Sequence, residues 1–508
     1  MKKITRPLSA LLAASLLVSL LAGSLTACST ATDDPADTAP SNQTTSSIGE
    51  DETELRDNLP ANLNYGGDEI TIISRDYEGW TRGEISVSGL NSDPVNDSVF
   101  ERNKSVEQRL NIKINSILDE SGDATVVLNK VATAVKAGTG EYDIAATPCY
   151  TTLPKTLNGT FVNLRNTEHL EFDRVWWTQG FNEVMEYDGA QYVATGDALI
   201  STYRFAFVTV FNQNLFTDAR QPFLYEYVED GTWTLDKQIS LVPLFYRDNG
   251  NGIQDDQGDI YGFASGGMAS IDAYWSSCQM DIIRKDADGI YEMVLDLDKV
   301  HAVADKLLTL FHGTDGGSRI FTPHGMGGEH DDIRELFAAG YSAMATLRII
   351  ELERSSMRNM NHTFGVVPVP KYDESQSAYH TLLQDQLTVF VIPTTVTGER
   401  QDQVSAVLEA LASASYKIVK PAYYETTLRT KIAQDPQSAE MMEIIIDGIY
   451  IDAGILYVAC LPGFQGNLRG LVNSKNNDTI SRFKAITKQT EADLRSITRK
   501  LNRLADAD

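Results

Sequence analysis

Between residues 66 and 146 the chain alternates two periods of hydrophobicity, and few architectures bury both kinds of apolar face at once. Glu69-Ile-Thr-Ile-Ile73 is a short β-rich run. After Asp93-Pro94, Val95, Val99, Val106 and Leu110 recur at helical spacing, and Asn111-Ile-Lys-Ile-Asn115 then alternates as a strand does. Val127, Val131 and Val135 mark a second helix that Gly138 ends, and Tyr142-Asp-Ile-Ala-Ala146 is a third strand. This βαβαβ order with short connections predicts a parallel, doubly wound α/β sheet, in which ligands meet the carboxyl ends of strands.

A middle section rich in aromatics and Gly/Asn/Asp loops breaks the rhythm, with Trp176-Trp177, Trp233 and Trp275 as its largest side chains. Regular signals return as helices over 332–339, 404–416 and 438–446, strands over 342–347, 364–369 and 387–392, and an amphipathic helix over 479–504. At 508 residues a single core would normally divide, so two lobes or more are expected. The tryptophans Trp176, Trp177 and Trp233 are expected as core packing.

The N-terminus reads as a secretory signal: Lys2, Lys3 and Arg6 precede an apolar stretch over 8–21, too short for a comfortable membrane span. Leu25-Thr-Ala-Cys28 resembles the lipobox of bacterial lipoproteins, whose cysteine is acylated and becomes the mature N-terminus. Residues 1–27 are therefore expected to be removed. Residues 28–65, Ser/Thr/Asp/Pro-rich and almost without apolar periodicity, are expected to form a lipidated terminus and disordered tether.

Composition excludes several functions. With 43 Lys+Arg against 70 Asp+Glu, a net charge of −27 leaves no basic face for nucleic acid or for lying flat on anionic lipid, and the basic tail over 495–503 is too short and diluted to supply one. Beyond Cys28, Cys149, Cys278 and Cys460 lie far apart with no CxxC pair, so no disulfide framework or zinc motif is written here. There is no HExxH, no GxSxG, no P-loop and no Rossmann fingerprint; Gly262-Phe-Ala-Ser265-Gly has the wrong spacing. His324-Gly-Met-Gly-Gly-Glu329-His330 superficially resembles an inverted zincin motif. Its glycines would break the helix that must present both ligands, so it is expected as a loop before the helix at Asp332.

Several stretches, taken in order, resemble the family 1 extracellular solute-binding proteins of bacterial ABC importers, in the large sugar-type branch common in clostridial Gram-positives. They are Val95-Asn-Asp-Ser-Val-Phe-Glu-Arg-Asn103 leading to Val106-Glu107, Glu141-Tyr-Asp-Ile144, Gly159-Thr-Phe-Val-Asn-Leu164, Trp176-Trp177 and Phe211-Asn212. Gly231-Thr-Trp-Thr234, Leu336-Phe-Ala-Ala-Gly340, Gly365-Val-Val-Pro-Val-Pro-Lys371 and Pro421-Ala-Tyr-Tyr-Glu425 continue the series. The resemblance implies a two-lobed, class II periplasmic-binding-protein-like fold with crossover hinge strands that closes on its ligand. Lobe one would hold 66–200 plus 386–450, and lobe two 201–385 plus 451–508, with 205–211 an early crossover and 387–392 the return.

The resemblance further implies a non-enzymatic lipoprotein at the outer face of the cytoplasmic membrane, expected as a monomer, that delivers a carbohydrate to ABC permease subunits and requires no cofactor. A sensory lipoprotein presenting ligand to a receptor kinase would share the fold, and a secreted carbohydrate-active enzyme is disfavoured because no motif supports it. Candidate ligand residues lie just beyond strand ends: Arg75 and Trp80, Tyr150, and Arg348. Tyr274 and Trp275 fall where the family often supplies a sugar-facing aromatic, and Asp197 is either a cleft acceptor or a turn residue. Aromatic faces cover the C–H faces of a sugar while Arg, Asp and Asn bond its hydroxyls. Asp248, Asn249, Asn251, Asp255, Asp256 and Asp259 form an oxygen-rich loop of the kind that suits a structural calcium, although its register conflicts with the EF-hand and dockerin patterns and it lacks a terminal Glu.

Overall fold

The computed structural model describes residues 56–253, 258–322, 324, 328–432, 435–461 and 463–507. The signal segment, Cys28, Asp255 and Asp256 lie outside them. The strands are β1 (Asp68–Arg75), β2 (Ile112–Asp119), β3 (Ile144–Pro148), β4 (Phe207–Asn212), β5 (Tyr261–Gly266), β6 (Ile283–Lys285) and β7 (Tyr291–Met293). After them come β8 (Ser318–Phe321), β9 (Ser342–Arg348), β10 (Phe364–Val367), β11 (Thr381–Leu382), β12 (Thr388–Val391) and β13 (Ile449–Tyr450).

Two sheets carry the fold, in the orders β12-β3-β1-β2 and β10-β4-β9-β5-β8. In the first, β1 pairs in parallel with both β2 and β3, as the βαβαβ reading expects, because the intervening helices Pro94–Leu110 and Val126–Ala137 return the chain to the same end. Asp93 caps the first of these helices on the amides of Val95 and Asn96, and Asn111 and Gly138 end the two in left-handed conformations. In the second sheet β5 is parallel to β8 and β9, and β4 alone runs against the others, antiparallel to both its neighbours β9 and β10. β12 likewise runs antiparallel to β3. Helix-connected strands must be parallel, whereas a strand arriving from the other lobe is free of that rule. The result is a two-lobed, periplasmic-binding-protein-like α/β fold.

Two boundaries differ from the sequence reading. Residues 56–65 are not part of a tether: Leu59 is buried, and Asp57 takes a hydrogen bond of 2.6 Å from Arg109 and another from Ser413. The polar composition hid one apolar anchor and one ion pair. The helix Pro436–Asp447 packs Met442 and Ile445 with Phe364 and Val366 of β10, so the end of the 386–450 span lies on the second sheet rather than the first. Cys149, Cys278 and Cys460 are free thiols.

Trp176, Trp177 and Trp233 are core residues, and the first pair is fixed by a carboxylate. Glu409, on the long helix Glu399–Pro421, accepts from Trp176 Nε1 at 2.9 Å and from Trp177 Nε1 at 3.1 Å. Burial pushes its carboxyl up to about 8, against the lowering effect of both indoles. A carboxyl that binds its proton more tightly folded than unfolded stabilises the fold at low pH, and that contribution is lost as pH rises from the ordinary carboxylate range through about 8. Thermal melts should therefore show wild-type stability falling between about pH 5 and about pH 8 relative to Glu409→Gln, whose amide does not titrate. Parallel pH profiles for the two proteins would contradict the shifted carboxyl.

Candidate functional site

Arg75 is the last residue of β1 and Arg348 the last of β9, so the carboxyl ends of the two sheets each contribute one guanidinium. They meet around Trp80. The Arg348 guanidinium lies 4.8 Å from the Trp80 ring centroid and that of Arg75 lies 5.6 Å from it, while Phe205 meets the indole edge-on at 6.1 Å. Trp80 belongs to the loop that follows β1, and Arg354, beyond the end of β9, donates to the Gly79 carbonyl at 2.5 Å. Gly79 has φ +80, and a Cβ there would collide with that guanidinium, so the close approach requires glycine.

Residues 384–386 run between the two arginines. Arg348 Nη1 donates to Gln384 Oε1 at 3.0 Å and Arg75 Nη1 to Gln386 Oε1 at 3.3 Å. Arg348 Nη2 also pairs with Glu351 Oε1 at 2.6 Å. Burial works against the Glu351 charge, but Arg348 and its neighbours prevail and hold that carboxyl down at about 2. From the helix Gly328–Ala338 come Glu329, which accepts from the amides of Met268 and Ala269 at 3.1 Å each, and His330. Burial, reinforced by Arg348, lowers His330 to about 3, so its imidazole is neutral at physiological pH. Trp80, Glu329, His330, Arg348, Gln384 and Gln386 line a cavity of 90 Å³.

Of the residues singled out from sequence, Arg75, Trp80, Arg348 and Tyr150 are brought together. Tyr150, in the first turn of the helix Cys149–Thr156, gives its amide to Asp385 O at 3.1 Å; burial lowers the Arg75 guanidinium to about 10, an effect that Tyr150 and Glu84 partly offset. Asp385 itself is pushed up to about 7, first by burial and then by Asp272. Asp197 is elsewhere: buried, it accepts from Tyr203 OH at 2.5 Å and faces Lys420 at 3.5 Å.

Tyr274 and Trp275 do not line the cavity. Tyr274 OH donates to Gln238 at 3.1 Å beneath the second sheet, and Trp275 packs edge-on against Phe483 of the C-terminal helix at 6.0 Å. The helix Ala269–Ser277 is buried on every side, and of its residues it is Ala269, not Tyr274 or Trp275, that lines the cavity. In the oxygen-rich loop Asp248 accepts the amides of Gly250 and Gly252, Asn249 that of Asn251, and Asn251 that of Ile253. Asp259 is wholly buried and accepts from the Asn249 amide and Tyr246 OH. These oxygens close the loop's own turns, and among the described residues no group of three His, Cys, Asp or Glu side chains stands where it could hold a metal ion.

The sequence reading missed Glu329, His330, Gln384 and Gln386 as cavity residues. The first two had a signal in the His324 to His330 cluster, which is not a loop at its end: the helix begins at Gly328, four residues earlier than Asp332. The glutamines had only their place ahead of a crossover strand.

No protein-family model and no curated protein sequence matches the chain. Among solved structures it is similar to an ABC substrate-binding protein from Listeria monocytogenes in complex with cycloalternan, at 12% identity and TM-score 0.51 over 86% of this chain and 99% of the other. It is similar to an ABC transporter solute-binding protein from Thermotoga lettingae bound with α-D-tagatose, at 14% identity and TM-score 0.53 over 84% and 100%. The GacH receptor of Streptomyces glaucescens, solved unliganded and with acarbose, shares 10% identity at TM-score 0.53 over 86% and 98%. At these identities the likeness is one of fold.

The two tryptophans should separate cleanly on substitution. Trp275→Ala empties a core position and should cost about 3–5 kcal/mol of stability, read as an earlier thermal melt. Trp80→Ala, at a partly exposed position, should melt much closer to wild type. Equal destabilisation by both would contradict the placement of Trp80 at the cavity wall.

Proposed function

We propose that this protein is the ligand-capturing subunit of an ABC importer, a non-enzymatic lipoprotein that takes up a carbohydrate between its lobes and presents it to permease subunits. One observation carries the reading: Trp80, from the loop after β1, and Arg348, at the end of β9, line one cavity from different sheets, and Arg75 adjoins it through the Trp80 ring and Gln386. A ligand held there touches both lobes at once, so its binding energy biases their relative position. The fold shared with proteins solved in complex with cycloalternan, tagatose and acarbose supports a sugar as that ligand.

The cavity of 90 Å³ is small beside the ~300–1,000 Å³ of ordinary ligand pockets, so the walls part to admit a sugar and close on it afterwards. Acylated Cys28 would hold the protein at the outer face of the cytoplasmic membrane; no helix among the described residues is long and apolar enough to cross a membrane.

A thermal-shift screen with acarbose, maltotetraose, tagatose and cyclic glucans should yield a ligand that stabilises by about 2.7 kcal/mol at 100 times its dissociation constant. Small-angle scattering should then show a smaller radius with that ligand than without it. A sugar that stabilises without changing the radius would sink the clamp mechanism, and a blank result across neutral and charged glycans would sink the carbohydrate. Cys28→Ser should release the protein from cells into the medium, and retention on the membrane would contradict the lipid anchor.

A further inference from the structure

Resting on the reading of this cavity as the ligand site, we propose that the ligand carries an anionic group, a carboxylate or phosphate on a sugar, and that Arg75 receives it with the help of Arg348. The ground is a difference between Arg75 and the other buried cations of the molecule. Arg102, equally buried, has every nitrogen satisfied: Nε by Asn103, Nη1 by Ala198 O and Ser415, Nη2 by Glu84 O and Ile85 O. Arg204 is bidentate on Glu353 at 3.0 Å and 3.0 Å, and Arg469 is paired with Asp272. These three arginines are each fully bonded or paired with a carboxylate. Arg75, 4% exposed, has one side-chain hydrogen bond, the 3.3 Å contact to Gln386, and its Nε and Nη2 are buried without a partner. On the cavity wall Arg348, 1% exposed, also keeps its Nε unpartnered.

The charges around Arg75 do not neutralise it. Glu351 pairs with Arg348, and Arg334 has Asp331 and Glu335 as further partners, but among the described residues no carboxylate stands within ion-pair distance of Arg75. Glu84, the nearest acid to raise the Arg75 affinity for its proton, is already engaged by the Ser201 amide at 2.7 Å and Thr388 Oγ1 at 2.7 Å. Glu329 is taken by two amides and His330 is neutral. Trp80 lies against both guanidinium groups and holds them by cation–π attraction, which orients a cation without cancelling its charge.

A buried guanidinium with no counter-charge is costly, and a sugar hydroxyl would fill one donor while leaving the charge unbalanced. A carboxylate or phosphate does both, since its oxygens match the guanidinium fork two at a time. Against a chain of net charge −27, this is an unbalanced positive charge where strand ends of the two sheets meet.

Titration calorimetry with matched probes tests the proposal: digalacturonate against its methyl ester, glucose 6-phosphate against glucose, and inorganic phosphate alone. At least one acidic probe should bind about tenfold or more tighter than its neutral partner, the scale of a charge-assisted hydrogen bond. Arg75→Gln should abolish that preference, and Arg75→Lys, which keeps the charge but not the fork, should retain part of it. Ligand-free Arg75→Gln should melt no earlier than wild type, because no native ion pair is lost. Neutral sugars binding as tightly as their acidic partners, or an acid preference that survives Arg75→Gln, would overturn the anion site while leaving a carbohydrate binder. Binding of inorganic phosphate and of none of the sugars would uphold the anion site and remove the carbohydrate. Failure of every probe, acidic and neutral, would overturn both.

Discussion

Glu351 is a single buried carboxylate with three arginines around it, and the wall that lobe two offers to the cavity depends on that arrangement. Arg348 and Arg334 reach it at 2.6 and 2.7 Å, and Arg354 lies at 3.9 Å. Arg334 has Asp331 and Glu335 as further partners, but the buried Arg348 has no other carboxylate among the described residues, and breaking such a buried pair commonly costs about 3–5 kcal/mol. With Glu351 in place, Arg348 is held at the end of β9 facing Trp80, and Arg354 is free to reach across to the Gly79 carbonyl. One carboxylate thus orders both the site residue and the contact between the loop after β1 and the second sheet.

The crossover segments complete the arrangement. Residues 384–386 pass from β11 toward β12, and their two glutamine side chains each accept from one arginine, Gln384 from Arg348 and Gln386 from Arg75. A connection between lobes therefore also lines the cavity between them. Any change in the angle between the sheets would alter both hydrogen bonds, which ties the site's geometry to lobe position more directly than residues on one lobe alone could.

The electrostatics of the site are local rather than global. Charges on the acidic surface are screened over about 8–10 Å at ordinary ionic strength, whereas Arg75, Arg348 and Glu351 act on one another where water is largely excluded. The acids that approach the cleft are committed: Glu329 to two backbone amides, Asp272 to Arg469, and Asp385 is raised to about 7 by burial and Asp272. The net charge of −27 describes the outer surface and says little about what the cavity prefers.

Local periodicity determined much of this protein from its sequence alone. The strands at 68–75 and 342–348, the helices that follow Asp93 and begin near Thr479, and the parallel pairing around β1 all follow from which residues alternate and which recur at helical spacing. That Arg75, Trp80, Tyr150 and Arg348 come together was legible for the same reason, since residues just past short apolar strands in an α/β fold gather at one rim of the sheets. Trp275 was not legible as core, because a tryptophan on an amphipathic-looking turn reads alike whether a sheet or a solute covers it; only the docking of the C-terminal helix, which brings Phe483 against its ring, decided that. Gln384, Gln386, Glu329 and His330 carry no period at all. Their place in the cavity, and the absence of a counter-charge at Arg75, depend on segments up to about three hundred residues apart meeting in space, and that is set by the closing of two sheets toward each other rather than by any local pattern.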